Sequence, residues 1–224
     1  MRFLFVWTVF MCFEPNVELL NASNREWEQW DHENVSQTID DYWLSSTEEI
    51  THRQTLANLL SQWVQPDDLF LEIGCGSGLV YEQIVPDVIP NRGYVGVDIS
   101  EKMLEIASNR FPEAIFIKDD LYHLSFPNET FDVTVALEVF GHIGEIVKPI
   151  SEMFRTSSRL IIFTVWSSPE TIVSQEVIDQ FVFLHVSYSH QDVMDSIANA
   201  LNGQFYSVST QKLSGEITAY IIQK

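Results

Sequence analysis

Between Ser46 and Pro66 the apolar residues Ile50, Leu56, Leu59, Leu60 and Trp63 recur at helical spacing behind the sequence Ser46-Thr47-Glu48-Glu49. A serine followed three residues later by a glutamate is a helix-start signature, so the pattern predicts a helix that ends at the proline. Downstream, short apolar runs of β type alternate with helical ones: strands are expected at 69–73, 94–97, 114–117, 131–137 and 160–165, with helices at 78–84, 101–109 and 145–154. Such alternation implies a parallel sheet with helices on both faces, wound outward from its first strand. Ligands then meet the carboxyl ends of the strands, where the winding reverses. The last sixty or so residues behave differently. Ser189-His190-Gln191-Asp192 opens a helix that reaches Leu201, Asn202-Gly203 ends it, and strands at 205–211 and 217–222 are joined only by the turn Leu213-Ser214-Gly215. So short a connection makes that pair antiparallel. The expected fold class is therefore α/β: a doubly wound, mostly parallel, seven-stranded sheet with an antiparallel C-terminal hairpin.

Residues 14–46 are polar and rich in tryptophan (Trp27, Trp30, Trp43) with weak periodicity, which marks an appendage. The expected division is an N-terminal helical arm or lid, residues 1–46, and a main domain, residues 47–224; no repeat or Pro/Gly/Ser linker suggests another boundary. With 46% hydrophobic, 12% aromatic and 20% charged residues, disordered, collagen-like and coiled-coil readings drop out. Charge narrows the chemistry further. Twelve basic against 32 acidic residues leave a formal net charge of −20, a field that repels nucleic-acid phosphates and anionic lipid. Cys12 and Cys75 cannot build a disulfide framework, and no Cys/His spacing fits a structural metal, so a reducing compartment and no metal are expected. Arg2 followed by the apolar run 3–13 looks like the start of a secretion signal, but it is too short to span a bilayer and no prompt cleavage site follows. A buried N-terminal strand, a true signal and a start codon placed too far upstream are the three readings of that run.

The strongest chemical signal is Leu69-Phe70-Leu71-Glu72-Ile73-Gly74-Cys75-Gly76-Ser77-Gly78, an apolar strand running into three glycines at every second position. Glycines there let a ligand lie against main-chain N–H groups. Glu72 precedes the first glycine by two positions, and Asp98 ends the next strand, 20 residues past Gly78. An acid at that place is set to accept from both ribose hydroxyls of a nucleoside. Leu79 stands where a dinucleotide fingerprint requires glycine, and Leu79-Val80 stand where a phosphate loop requires Lys-Ser or Lys-Thr. A nucleoside bearing an amino or sulfonium group fits better than a pyrophosphate.

The run Glu72-Ile73-Gly74-Cys75-Gly76-Ser77-Gly78 with Asp98 resembles the signature of class I S-adenosylmethionine-dependent methyltransferases. The segment Lys118 to Asp132 is similar to that family's stretch around the third and fourth strands, and Ala136-Leu137-Glu138-Val139-Phe140-Gly141-His142-Ile143 resembles the subgroup that includes quinone-biosynthesis methyltransferases. The resemblance implies a Rossmann-like fold and S-adenosylmethionine as cofactor. It places Gly74, Cys75, Gly76 and Gly78 along the methionine and ribose, with Glu72 ordering the loop. Asp98 falls on the ribose hydroxyls, Ile99 and Met103 near the adenine face, and Leu121 against the ring. Asp120 falls on the adenine amino group with Asp119 as its rival, and Glu138 and Val139 lie beside the methionine. Where the family usually has Lys-Pro-Gly-Gly before its fifth strand, this chain has Arg155-Thr156-Ser157-Ser158-Arg159, which leaves the far edge of the domain open to question.

The expected function is transfer of a methyl group to a small-molecule acceptor in the cytoplasm, without nucleic acid or a membrane span. A general base is needed only for an acceptor that must lose a proton. His142, just past the fourth strand, is the candidate, with shaping of the pocket through a hydrogen bond as the alternative role. Tyr42, Trp43 and Arg53 are candidates to fold over the pocket, and Trp166, Phe181, Phe183 and Tyr188 to wall an acceptor or pack a lid. The remaining histidines read as structural or surface, and the sequons at Asn21, Asn34 and Asn128 as chance matches. Two other readings stay open: a cofactor-binding regulator without catalysis, and a nicotinamide oxidoreductase, which Leu79 disfavours.

Overall fold

The computed structural model describes residues 29–90, 93–178, 181–213 and 215–224. The expectations placed on the apolar run 3–13, on Cys12, Asn21 and Trp27, and on the Phe181 side chain fall outside the described set. Helices α1 (Glu33–Ser45) and α2 (Thr47–Trp63) precede strand β1 (Phe70–Ile73), and the chain continues through α3 (Leu79–Ile84), β2 (Tyr94–Asp98), α4 (Glu101–Arg110) and β3 (Ile115–Lys118). Then come β4 (Phe131–Ala136), a 3₁₀ turn (Phe140–His142), α5 (Val147–Thr156), β5 (Ser157–Ser167), β6 (Ile172–Ile178), β7 (Phe181–Tyr188), α6 (His190–Ala200), β8 (Ser207–Lys212) and β9 (Ile217–Gln223). Among the described residues no helix is long and apolar enough to cross a membrane.

The strands form one sheet in the order β3-β2-β1-β4-β5-β7-β6, and β9 also pairs with β5 and with β8. Strands β3, β2, β1, β4 and β5 are mutually parallel, and β9 runs antiparallel to β5 over seven residue pairs. The sheet thus has nine strands where seven were expected. The addition is the antiparallel β6–β7 hairpin, whose β7 joins the end of β5 at Trp166↔Ser187 and Ser167↔Tyr188. The glycine-free stretch before β5 does not disturb the edge. Helix α5 runs to Thr156 and the strand begins at Ser157, with the Arg155 guanidinium donating to the Leu124 and Phe126 carbonyls and to Glu152.

Residues alternate across the sheet, as two-sided burial requires. Leu71, Ile73, Ile161 and Phe163 face a core closed by Ile150 and Met153 of α5 and Val193 and Ile197 of α6, whereas Phe70, Val133, Leu160 and Ile162 face Leu56, Leu59 and Leu60 of α2 and Ile84 of α3. Each fully buried aliphatic or aromatic side chain of this kind contributes about 1.5–3 kcal/mol. Ser46 caps α2 by accepting from the Glu49 N–H, as the sequence pattern predicts. Ser100 caps α4 in the same way, and its hydroxyl also donates to the Trp30 carbonyl at 2.8 Å.

Candidate active site

The chain winds from β1 out to β3 and returns to β4 beside β1, so the reversal lies between β1 and β4. A cavity of about 630 Å³ opens there, lined by residues that follow β1, β2, β3 and β4 and roofed by Trp30, Trp43, Glu49 and Arg53. Of the residues expected to hold the cofactor or to act as base, Glu72, Gly74, Cys75, Gly76, Asp98, Ile99, Met103, Asp119, Asp120, Leu121, Glu138, Val139 and His142 line it, and Gly78 does not. Gly78 begins α3 at φ +80°, and a Cβ there would stand 3.1 Å from the rings of Phe111 and Phe116. It serves the turn and the packing below the loop. Gly74 serves the cavity itself: at φ +69° a Cβ would come within 2.4 Å of Val139, so only glycine leaves the backbone open beside β4.

Asp98 holds the loop in shape. One carboxylate oxygen accepts from the Gly76 N–H and the other from the Ser100 N–H, each at 2.9 Å, and burial raises its pKa against these bonds. Asp119 is spent within its own turn, accepting from the Ser125 N–H and hydroxyl and from the Asp120 N–H. Asp120 accepts from the Tyr122 N–H through Oδ1, and its Oδ2 lies 4.0 Å from His123.

Below the loop Glu72 is buried and accepts from the Tyr94 hydroxyl, and Gly96 leaves the room this pair needs, since a Cβ there would meet the Tyr94 oxygen at 2.8 Å. Burial pushes the Glu72 carboxyl up to about 8 from its ordinary 4.5. Folding therefore takes up a proton between those values: the stability Glu72 brings is complete below pH about 4.5 and is lost as pH rises to about 8. Glu138 carries a shift of the same sign to about 8, from burial and the nearby Glu49 charge. Glu72→Gln is expected to flatten part of the fall in denaturation midpoint over this window and leave the Glu138 part; an unaltered slope would refute the assignment.

His142 lies between indoles, its ring centroid 5.0 Å from that of Trp30 and 5.1 Å from that of Trp166, both edge-on. Its Nδ1 stands 3.1 Å from the Leu184 carbonyl of β7. A carbonyl only accepts, so Nδ1 carries the proton and Nε2 keeps its lone pair. Burial lowers the imidazolium to about 4, so the ring is neutral near pH 7. Trp166 occupies the space a side chain at Gly141 would need, a Cβ there falling 1.8 Å from its ring.

The arm closes the cavity. Trp43 lies over Gly76, 3.3 Å from where a Cβ would be, and Arg53 donates to the Trp43 carbonyl at 2.8 Å; both line the cavity as expected. Tyr42 is half exposed and does not line it. Trp166, Phe183 and Tyr188 pack beneath or beside the cavity: Phe183 lies 4.8 Å from Trp30, ring to ring, and the Tyr188 hydroxyl donates to the Ile143 carbonyl. The Gln29 side chain accepts from the Val182 N–H, tying the arm to the β6–β7 hairpin.

Residue patterns gave no hint of the convergence at Glu138. This residue has φ +59°, a strained conformation outside glycine, and its N–H donates to the Thr164 hydroxyl. Its Oε1 lies 3.5 Å from His52 Nδ1, and one ligand-type atom each of Glu49, His52 and Glu138 falls within 4.8 Å of the others. Glu49 and His52 are three apart on α2, so they share one face of the helix.

Residues 70–158 match the sequence model of a methyltransferase domain. The chain is 26% identical over 155 residues to a demethylmenaquinone methyltransferase of Symbiobacterium thermophilum, covering 64% of this chain and 52% of that protein. It is 32% identical over 134 residues to a 27-O-demethylrifamycin SV methyltransferase of Amycolatopsis mediterranei, covering 53% of this chain and 47% of the relative. The chain thus spans about half the length of these curated relatives. In fold it is similar to an S-adenosylmethionine-dependent methyltransferase from Clostridium acetobutylicum, with a TM-score of 0.60 at 14% identity over 84% of this chain and 97% of that one.

Proposed function

We propose that this chain, a class I S-adenosylmethionine-dependent methyltransferase by family and fold, moves a methyl group to a small-molecule acceptor in the cytoplasm. The single observation that carries the reading is the geometry of Asp98 and the glycine loop at the switch point. There a carboxylate and open backbone line one cavity, with no lysine among the described residues of its lining.

The residues present fit the cofactor by their chemistry. Asp98 keeps further lone pairs for two ribose hydroxyls. Asp120, less committed to its own turn than Asp119, suits the adenine amino group, with Leu121, Ile99 and Met103 around the ring. Gly74 and Gly76 leave room for the methionine portion, flanked by Glu138 and Val139, and the Arg53 guanidinium suits its carboxylate. When bound, the cofactor supplies an electrophilic methyl group on a sulfonium. What the chain supplies is alignment and exclusion of water: Trp43 and Trp30 roof the cavity, and Arg53, held by the Trp43 carbonyl, ties the roof to α2. His142 Nε2 accepts a hydrogen bond from an acceptor; with its imidazolium near 4, it draws a proton only weakly.

The departure at Arg155–Arg159 lies away from the cavity, so it offers no support for a regulator without catalysis. The test is calorimetry with S-adenosylmethionine and its demethylated product, followed by mass-resolved methyl transfer to a small-molecule panel. Expected are binding of both nucleosides and a mass gain of one methyl group on at least one acceptor. Binding without product would support the regulator, and binding of neither would overturn the cofactor assignment.

A further inference from the structure

The end of the cavity under the arm is rich in negative charge and poor in positive. Arg53 is the only lysine or arginine among the described residues lining it. A cofactor with an amino-acid tail brings one carboxylate, which Arg53 answers, and one ammonium, which one acidic group answers. Two acidic side chains stand there, Glu49 of α2 and Glu138 after β4, with His52 beside them. Glu138, whose Oε1 makes no hydrogen bond, is the carboxylate left for a second ligand.

We infer that the methyl acceptor is an amine entering as its ammonium ion, received by Glu138 and walled by the indoles of Trp30 and Trp43. This rests on the reading of the cavity as a methyl-transfer site. The Oε1 of Glu138 is buried and has no hydrogen-bond partner, which is costly for a carboxylate oxygen and is relieved by an N–H⁺ donor. The strained backbone at Glu138 holds that oxygen at the carboxyl end of β4, where the site's chemistry converges. Burial and the Glu49 charge hold the Glu138 carboxyl near 8, a penalty that a bound cation removes. Indole faces attract organic cations, and the net charge of −20 draws them while repelling carboxylates and phosphates. Binding of the ammonium releases the Glu138 proton to solvent, and the ionised Oε1 then receives the proton that the nitrogen must lose before it can offer a lone pair.

The test uses the full chain saturated with S-adenosylhomocysteine, titrated by calorimetry with three probes of one skeleton: 2-phenylethylamine, 2-phenylethanol and phenylacetate. The amine is expected to bind at least about tenfold more tightly than either, the worth of one charged hydrogen bond. Glu138→Gln, which keeps the shape, is expected to weaken the amine about tenfold more than it weakens S-adenosylhomocysteine. Equal or tighter binding of the acid or the alcohol overturns the inference. So does failure of the amine to bind, or loss of amine and S-adenosylhomocysteine affinity in equal measure in Glu138→Gln. If the wild type binds no S-adenosylhomocysteine at all, the cofactor reading itself has failed, an outcome distinct from the others.

Discussion

Replacing Asp98 by alanine is expected to lower the affinity for S-adenosylmethionine and S-adenosylhomocysteine by about two to four orders of magnitude. The figure follows from two hydrogen bonds between a carboxylate and ribose hydroxyls at about 1.5–3 kcal/mol each, with about 1.4 kcal/mol per tenfold. The substitution also releases the Gly76 and Ser100 N–H groups, so the glycine loop loses its clamp and the start of α4 loses a partner. Asp98→Asn keeps one acceptor oxygen and is expected to fall between wild type and alanine. Calorimetry on both variants, after their folding is checked by circular dichroism, measures the effect. An alanine variant within about threefold of wild type would mean that the ribose is held elsewhere.

The largest effect on stability is expected at Arg110. Its guanidinium donates through both terminal nitrogens to Asp40 of α1, at 3.1 and 2.6 Å, and through Nη1 to the Ser77 carbonyl of the glycine loop at 3.0 Å. Asp40 is 1% exposed, so removing its partner leaves a buried carboxylate uncompensated. Breaking such a pair costs about 3–5 kcal/mol, whereas removing both members costs much less. Arg110→Ala is expected to lower the urea midpoint accordingly, and Arg110→Leu with Asp40→Leu to recover most of the loss. Because the same guanidinium joins the arm to the cofactor loop, Arg110→Ala is expected to weaken nucleoside binding as well. A loss below about 1 kcal/mol would show the pair to be dispensable.

Much of the architecture was legible because it rests on short-range signals. Helical spacing and the Ser46 and Ser189 caps set α2 and α6, and apolar runs set the five parallel strands to within a few residues. The three glycines with an acid at the end of the next strand picked out the cavity, since a loop that must expose its N–H groups admits few other residues. The glycine pattern alone did not separate Gly74, which opens the cavity, from Gly78, which starts a helix and clears two phenylalanines: both sit at the same spacing, and only their neighbours differ.

The β6–β7 hairpin was not expected, because a strand pair inserted between β5 and α6 is recognised by its pairing with β5, not by a separate periodicity. It decides the state of His142, whose proton sits on Nδ1 because the Leu184 carbonyl lies opposite. Likewise Trp30 read only as a tryptophan in a polar arm, whereas Trp43 was expected over the pocket; the Asp40–Arg110 pair, linking residues 70 positions apart, sets that arm over the loop.

By itself the sequence determined the elements other than the β6–β7 hairpin, their order, the parallel sheet with its antiparallel end, and the acidic, phosphate-free character of the ligand site. Local backbone preference and apolar periodicity act within a turn or a strand, so the order of residues encodes them directly. The tertiary structure alone decided the place of Trp30 and Glu49 in the roof of the cavity, the tautomer of His142, and the meeting of Glu49, His52 and Glu138. Those depend on the angle at which α2 crosses the carboxyl end of β4 and on which surface the arm covers, distances set by packing between segments that share no neighbourhood along the chain.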